Sequence, residues 1–360
     1  MEHVKINVTK EDIKPLLYFI ISMFQQETIH RQGTSSKSDL IGGFIDRWIN
    51  KIPEDLIFRK HLLLNKNYSV INDYFVYGMK SKKNAPDILG LQIDDQIIKF
   101  TEYNKNEWVQ IEGMPHIEIK TFRKNQRLVS VRDTQLEEDH YYIFVESNFD
   151  NDYLIHLFDE QYLERETLNK ISMSNQFIKD NSQQILIQPP EISIDKKESI
   201  GTLEIITIIK GSEFKKRSTL CKEKENVFYL KNIVEAPRVQ SGLKTPKKFK
   251  EIFQYNSETD MYEAQWESSK MIPIYAQNID ELEILKINKG SFYCKSSEEF
   301  QLYNYNLKAG VIYKVELEIF QRNSGWNEYV ALKNQFPEDI NCEAQLVILL
   351  DEIANNMSKN

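Results

Sequence analysis

Cysteine is scarce in this chain. The 360 residues include three cysteines, Cys221, Cys294 and Cys342, which are too far apart in sequence to form a Cys-x-x-Cys pair. Disulfide-stapled folds and structural zinc sites need more thiols at closer spacing, so neither is expected. The six histidines show no metal-ligand spacing either. This pattern is typical of the reducing cytosol, and we expect a cytoplasmic protein.

Long apolar runs are also missing. The longest one near the start, residues 16–21, is much shorter than the roughly 20 apolar residues of a membrane span. No basic leader precedes it and no small-residue cleavage site follows it, so a signal peptide is not expected. Thr9 stands in the position of a helix N-cap and Asp12 in that of a capping box, which predicts a buried amphipathic helix. We therefore expect no membrane association.

An overall excess of positive charge is absent as well. The formal net charge is −8 with 28% charged residues, which excludes a surface coated with basic side chains. Any binding of nucleic acid must therefore depend on a local basic region. Residues 210–250 contain twelve lysines and arginines against four glutamates, with aromatic residues interspersed. We interpret this region as a nucleic-acid contact that includes Lys247 and Lys248, with an acidic protein partner as the alternative.

The most informative pattern is a set of polar residues at the ends of predicted strands. Asp87 follows a proline and precedes an apolar run, which places it at the start of a buried strand. Two turn-and-strand segments come next, and the pattern ends with Glu118 and Lys120. These two residues are two positions apart between apolar neighbours, so their side chains are expected on one face of a strand.

Two carboxylates and a lysine suit divalent-metal chemistry. Mg²⁺ prefers hard oxygen ligands, usually one or two carboxylates together with waters and phosphate oxygens. Asp87 and Glu118 supply the carboxylates, and the carbonyl of Ile119 lies between the two side chains of the motif. An ammonium at Lys120 is suited to orient or deprotonate a water and to stabilise negative charge in the transition state. The alternative is a solvated Glu-Lys pair and an ordinary Pro-Asp turn.

Pro86-Asp87 followed by Glu118-Ile119-Lys120 resembles the motif of the PD-(D/E)xK nuclease superfamily, and its setting is most similar to a type II restriction endonuclease. The resemblance covers roughly the first 160 residues, with a long separation between the two halves of the motif. It implies an α/β restriction-endonuclease-like core with a mixed central sheet and Mg²⁺-dependent hydrolysis of double-stranded DNA. It also implies catalytic roles for Asp87, Glu118 and Lys120.

The resemblance points to further residues near the site. Gln135 is similar in placement to a glutamine that assists the site in RecB-type relatives, with a surface glutamine as the alternative. In many restriction-type nucleases a helix ahead of the Pro-Asp motif carries an acidic residue near the metal. Glu27 or Asp46 is similar in placement to that residue, and a surface ion pair is the alternative for Asp46.

Two basic loops are candidates for phosphate contacts. Lys37 lies in a polar, glycine-bearing loop ahead of a predicted helix, where loop amides and a lysine favour phosphate. Lys124 and Arg127 belong to a basic loop that follows the motif lysine. We expect this second loop along a DNA backbone or, alternatively, in solvent.

The chain length and one polar segment predict two domains. Residues 181–199 are rich in Asn, Gln, Ser and Pro, which indicates a linker between a catalytic domain, residues 1–180, and a second domain, residues 200–360. The second domain is predicted to be mainly β with a helix over about residues 338–357. It either recognises DNA or mediates dimerisation.

These patterns predict a Mg²⁺-dependent type II restriction endonuclease that cleaves double-stranded DNA at a specific sequence. Cutting both strands of a symmetric site needs two catalytic centres, so a homodimer is expected. Two alternatives remain open. One is a RecB-type or repair nuclease acting on DNA ends or branched DNA, and the other is a non-enzymatic scaffold that binds DNA or protein.

Overall fold

The computed structural model shows a mixed α/β protein in which sheets predominate and helices are few. The structure describes residues 3–25, 51–74, 86–104, 107–124, 126–149, 199–222, 226–239, 242–256, 261–264, 269–271, 279–288, 290–302, 305–321, 326–333, 336 and 339–357. The chain divides into two compact units. Unit 1 comprises Met1–Gln126, His140–Ile209 and Glu338–Asn360, and unit 2 comprises Arg127–Asp139 and Lys210–Pro337.

The secondary structure is dominated by short strands. In chain order the strands are β1 (Val4–Thr9), β2 (Tyr68–Asn72), β3 (Ile88–Ile93), β4 (Gln96–Lys99), β5 (Thr101–Asn104), β6 (Glu107–Gln110), β7 (Ile117–Arg123), β8 (Leu128–Arg132), β9 (Tyr141–Phe149), β10 (Ser199–Lys210), β11 (Thr219–Cys221), β12 (Asn226–Glu235), β13 (Lys247–Lys248), β14 (Phe253–Asn256), β15 (Met261–Ala264), β16 (Ser269–Met271), β17 (Glu283–Asn288), β18 (Ser291–Lys295), β19 (Phe300–Leu302), β20 (Tyr305–Leu307), β21 (Ile312–Gln321) and β22 (Glu328–Leu332). The helices are α1 (Lys10–Gln25), α2 (Ile52–Ile57), α3 (Gly211–Arg217), α4 (Phe249–Ile252) and α5 (Ile340–Met357), with a π-helical turn at Phe58–Leu62 and 3-10 turns at Asp133–Gln135 and Ile279–Glu281. No helix in this described part of the chain has the length and apolarity needed to cross a membrane.

A mixed four-stranded sheet with the order β1-β10-β9-β7 lies at the centre of unit 1. β1 runs antiparallel to β10, and β7 runs parallel to β9. Residues 141–145 of β9 are all buried, the continuous apolar run expected of a strand that is covered on both faces. A three-stranded sheet, β2-β3-β4, and a hairpin, β5-β6, are the other described strands of this unit. Both lie in sequence between α2 and β7.

Helices pack on this sheet through regularly spaced apolar residues. In α5 the residues of the core cluster are Cys342, Leu346, Leu350 and Ile353, whose spacing of three or four positions makes one stripe on the helix. They belong to the same core cluster as residues of α1, β9 and β10. The predicted C-terminal helix is thus confirmed in its position, but it belongs to unit 1 and not to the β-rich part of the chain.

The predicted start of the first helix is confirmed. The backbone N–H and the hydroxyl of Thr9 both donate to Oδ2 of Asp12 at 2.8 Å. Asp12 also accepts from Arg59 and Lys60, each at 2.6 Å, and these residues belong to the π-helical turn after α2. One carboxylate therefore caps α1 and connects it to the next helical segment.

Unit 2 has its own hydrophobic core on an eight-stranded sheet with the order β13-β17-β18-β21-β12-β16-β15-β14. In β21 the buried residues Tyr313 and Val315 alternate with the half-buried Lys314 and Glu316, the pattern of a sheet with only one face in the core. Two further sheets, β11-β22-β8 and β19-β20, belong to this unit. The mainly β character predicted for the second half of the chain agrees with these strands.

The boundaries of the two units differ from the predicted domain boundaries of 1–180 and 200–360. β10 follows the predicted linker in sequence, yet it lies between β1 and β9 in the central sheet of unit 1. Conversely, β8 comes from the predicted catalytic half but pairs with β22 in unit 2. Composition marks polar segments in a chain, whereas strand pairing between distant segments decides which unit each strand joins.

Candidate active site

Asp87 is hydrogen-bonded to the backbone of β7. It lies directly before β3, and its Oδ2 accepts from the backbone N–H of Ile119 at 2.7 Å. β7 is the edge strand of the four-stranded sheet among the described strands, and its other edge pairs with β9. Because the N–H and C=O of one residue project to the same side of a strand, the carbonyl of Ile119 faces the side on which Asp87 lies. The two halves of the motif, far apart in sequence, thus meet at one sheet edge.

Glu118 and Lys120 form an ion pair on one face of β7. Their Oε2 and Nζ atoms are 2.6 Å apart, and the two side chains are only 15% and 22% exposed. Ile117 and Ile119, which alternate with them, are buried in the core. The expectation that the two polar residues share a strand face is met, and the pair is largely shielded from solvent.

A histidine holds the second oxygen of Glu118. Nε2 of His116 lies 3.0 Å from Oε1 of Glu118, and Nδ1 lies 3.3 Å from Oε1 of Gln110. The amide nitrogen of Gln110 donates to the carbonyls of Met114 and Pro115, which fixes its orientation. The ring of His116 also stacks on His140, with centroids 3.7 Å apart and planes 5° from parallel. Both oxygens of Glu118 are therefore held by neighbouring side chains.

Three charged residues that the sequence did not indicate accompany Asp87. Lys51 and Glu54 form an ion pair of 2.6 Å at the start of α2, with side chains 11% and 7% exposed. Asp73, also buried, follows β2, and its backbone N–H donates to the carbonyl of Asp87. The charges of Glu54, Asp87 and Asp73 all act on Lys51. Glu27 and Asp46, the acidic candidates from the sequence, lie outside the described residues.

The pKa values of the motif residues follow from this arrangement. Burial and then the Glu118 carboxylate raise the pKa of Asp87, although Lys51, Lys120 and the Ile119 N–H act in the opposite direction. Burial also disfavours the charge of Glu118, but Lys120 and the hydrogen bond from His116 outweigh it and lower the pKa of Glu118 to about 2. Burial disfavours the ammonium of Lys120, yet Glu118 and Asp87 outweigh burial and raise its pKa. Lys120 is therefore held as an ammonium.

Burial and charge also shift the pKa values of the Lys51–Glu54 pair. Burial opposes the ammonium of Lys51, but Glu54, Asp87 and Asp73 outweigh it and raise the pKa of Lys51. Burial and the nearby Asp87 carboxylate raise the pKa of Glu54 well above its ordinary value, against the attraction of Lys51. The surroundings of Asp87 thus contain more carboxyl groups than ammonium groups.

The chemical types of the groups around Asp87 suit a divalent cation. Four carboxyl groups, those of Asp87, Glu118, Glu54 and Asp73, share this region with the ammonium groups of Lys51 and Lys120, which leaves an imbalance of two negative charges when all are ionised. Carboxylates with one backbone carbonyl are the ligands that Mg²⁺ accepts. Among the described residues, however, no group of three or more His, Cys, Asp or Glu side chains is placed to hold a metal on side chains alone. Waters and phosphate oxygens would have to complete the coordination.

The other predicted site residues lie on elements other than the motif strands, or outside the described residues. Gln135 lies in the 3-10 turn after β8, which belongs to unit 2, whereas the motif belongs to unit 1. This turn spans only Asp133–Gln135, and Leu136 after it has an extended backbone. Lys124 is an exposed residue of unit 1, and Arg127 of unit 2 donates from Nη1 to the carbonyl of Leu230 at 2.6 Å. Lys37 lies outside the described residues.

Much of the basic region 210–250 is neutralised locally. Lys248 and Lys250 both pair with Glu281, and Lys215 pairs with Glu138 at 2.9 Å. Lys216 and Arg217 pair with Glu213. Lys247 is exposed on β13. The excess of charge counted from the sequence therefore overstates the positive charge that this region offers to a ligand.

No protein-family model, curated protein or solved structure matches the chain.

Proposed function

We propose that the chain is a Mg²⁺-dependent endodeoxyribonuclease of the restriction type, which hydrolyses phosphodiester bonds in double-stranded DNA. The observation that carries this proposal is the hydrogen bond from Ile119 N–H to Asp87, because it joins Pro86-Asp87 to the strand of Glu118 and Lys120. An ordinary Pro-Asp turn and an isolated surface ion pair would have no reason to meet in this way. The burial of the Glu118–Lys120 pair supports the same reading.

In this proposal Asp87, Glu118 and the carbonyl of Ile119 hold the metal. When bound, Mg²⁺ supplies positive charge that polarises the phosphate and offsets charge in the transition state. Each oxygen of Glu118 already contacts Lys120 or His116, so a bound metal would share one of these oxygens with its present partner. His116, oriented by Gln110, holds the side chain of Glu118 in place.

Lys120 stabilises charge and orients the attacking water. Its ammonium, 2.6 Å from Glu118, is placed to donate a hydrogen bond to the water in this proposal. The oxygen of the water forms a bond to phosphorus and loses a proton to solvent. The bond from phosphorus to O3′ breaks, and O3′ takes up a proton from solvent. The products are a 3′ hydroxyl and, as the resemblance implies, a 5′ phosphate.

The test compares Lys120→Ala with the original protein on closed circular DNA. We expect Mg²⁺-dependent cleavage to fall by about 100-fold or more in the variant, because one charge-stabilising donor is lost, while DNA binding persists. EDTA should abolish cleavage by the original protein. Lys99→Ala is the matched control, since Lys99 is an exposed lysine at the end of β4 in the same unit, and it should cut normally.

Unchanged cutting by Lys120→Ala, or cutting that resists EDTA, would reject the proposal. Cleavage restricted to linear DNA would instead identify a nuclease that acts on ends. Discrete fragments from a long DNA would establish sequence-specific cutting, for which a homodimer provides two catalytic centres. Sedimentation of the protein, alone and with DNA, measures that oligomeric state.

A further inference from the structure

The β5–β6 hairpin carries an aromatic pair. Tyr103 and Trp108 face each other across the two strands, with ring centroids 5.1 Å apart and planes inclined by 52°. Tyr103 is 44% exposed, and Trp108 is half-buried beneath it. A ring this exposed is stabilised little by burial in the core. Folding alone therefore does not explain why an aromatic residue stands at this position.

This aromatic pair lies on the face of the hairpin that is connected to the candidate active site. Trp108 and Gln110 are two residues apart in β6, so their side chains project from the same face, about 7 Å apart along the strand. Gln110 contacts His116, and His116 contacts Glu118. All of these residues belong to unit 1. The aromatic pair therefore shares a hairpin face with Gln110, and Gln110 is connected to the motif carboxylate through His116.

The charges of the hairpin are distributed unequally between its faces. Glu102 is paired with Val109, and Glu107 with Asn104, in positions that alternate with the Tyr103–Trp108 pair. Both glutamates therefore project from the face opposite the aromatic pair. Among the hairpin residues that the structure describes, the aromatic face carries Thr101, Gln110 and the two rings and has no carboxylate. A polyanion meets less repulsion on this face than on the other.

We propose that the aromatic face of the β5–β6 hairpin docks on duplex DNA beside the bond to be cut, with Tyr103 packed against a nucleobase and Trp108 supporting its ring. This inference rests on the proposed nuclease function and names a substrate contact for the same site. Aromatic rings bind bases of any sequence through their faces, and rings inserted at a base step also position the backbone. The contact would hold the duplex on the hairpin face of Gln110, which is connected to Glu118 through His116.

The test measures DNA cleavage and DNA binding separately. Variants Tyr103→Ala and Tyr103→Leu remove the ring, and Leu retains apolar bulk against Trp108 if Ala loosens the hairpin. Tyr103→Phe keeps the ring, and Val109→Ala alters a 52% exposed residue on the opposite face of the same hairpin. The readouts are KM and kcat on plasmid DNA with Mg²⁺, and the affinity for a short fluorescein-labelled duplex in EDTA.

We expect both ring-removing variants to weaken duplex binding and to raise KM by about tenfold, the effect of losing one base-aromatic stack. kcat should change much less, and Tyr103→Phe and Val109→Ala should match the original protein. Equal KM and equal duplex affinity in Tyr103→Ala, Tyr103→Leu and Val109→Ala would overturn the inference. That result would leave the nuclease proposal intact, because the nuclease proposal is judged by Lys120→Ala and EDTA.

Discussion

Lys51 balances more negative charge than any other single residue at the candidate site. Its ammonium pairs with Glu54 at 2.6 Å, and the charges of Asp87 and Asp73 also act on it. Both members of the pair are nearly inaccessible to solvent, with side chains 11% and 7% exposed. A buried ion pair contributes little net stability compared with an apolar pair, but the loss of one member leaves an uncompensated charge.

Replacing Lys51 by Met should therefore destabilise the protein strongly. We expect the free energy of unfolding at neutral pH to fall by about 3–5 kcal/mol. The fall is smaller to the extent that Glu54 takes up a proton and loses its charge. The double variant Lys51→Met/Glu54→Leu should regain part of this loss, since Glu54 is no longer left unpaired, while Asp87 and Asp73 still lack the charge of Lys51. Chemical denaturation monitored by circular dichroism measures both.

An exposed pair with the same spacing provides the control for that experiment. Lys14 and Glu11 are also three residues apart and 2.6 Å from each other, but their side chains are 67% and 75% exposed. Lys14→Met should leave the free energy of unfolding nearly unchanged, because solvent already screens the pair. A Lys51→Met protein as stable as Lys14→Met would contradict the role of Lys51.

The sequence predicts the motif residues but not the residues that surround them. Glu118 and Lys120 are two residues apart between apolar neighbours, which is enough to predict a shared strand face. Lys51, Asp73 and Gln110 carry no such pattern, because each reaches the site through contacts between segments that are distant in sequence. Glu54 has one local signal, its position directly after Pro53 at the start of a helix, whereas Glu27 and Asp46 stay predictions outside the described residues.

At the scale of elements, Asp12 determines how α1 begins. Its carboxylate accepts from Thr9, Arg59 and Lys60 while its side chain is only 4% exposed. Burial alone would raise its pKa, but these hydrogen bonds outweigh burial and lower the pKa from 3.8 to about 2. The cap was predictable from Thr9 and Asp12, three residues apart. The contacts with Arg59 and Lys60 were not, because they join two separate helical segments.

This lowered pKa predicts a pH-dependent contribution to stability. Because Asp12 has a lower pKa in the folded state than in the unfolded state, its stabilisation is complete above about pH 4 and is lost as the pH falls to about 2. The shift corresponds to about 2 kcal/mol at neutral pH. Asp12→Asn should lose this amount at pH 7, and its stability should depend less on pH between about 4 and 2 than that of the original protein.

Glu11→Gln is the matched control for Asp12→Asn. Glu11 lies in the same helical turn, but it is exposed and pairs only with Lys14 among the contacts recorded for it. Its replacement should leave the stability profile nearly unchanged. Denaturant titrations at several pH values give both profiles, and identical profiles for the two variants would refute the assignment.

At the scale of the whole molecule, unit 1 is assembled from three separate stretches of chain. β1 from the start of the chain pairs with β10, and α5 from its end supplies Leu346 and Leu350 to the same core. Individual strands and helices could be anticipated from alternating and continuous apolar runs, and the mixed α/β character from the resemblance of the motif. The assembly of unit 1 could not be anticipated. A polar stretch such as 181–199 indicates a linker, but it does not tell whether the strand after it returns to the first sheet.

This assembly predicts that a fragment of residues 1–180 does not fold. It lacks β10, which separates β1 from β9 in the central sheet, and it lacks α5, which covers part of the core. We expect no cooperative unfolding transition and no near-ultraviolet circular dichroism from the fragment. In the full chain, Leu346→Ala should cost about 2–5 kcal/mol because Leu346 is fully buried, whereas Ile348→Ala, at a residue 55% exposed on the same helix, should change little. A cooperatively folding fragment would show that the predicted boundary defines a domain after all, and that β10 and α5 only lie against it.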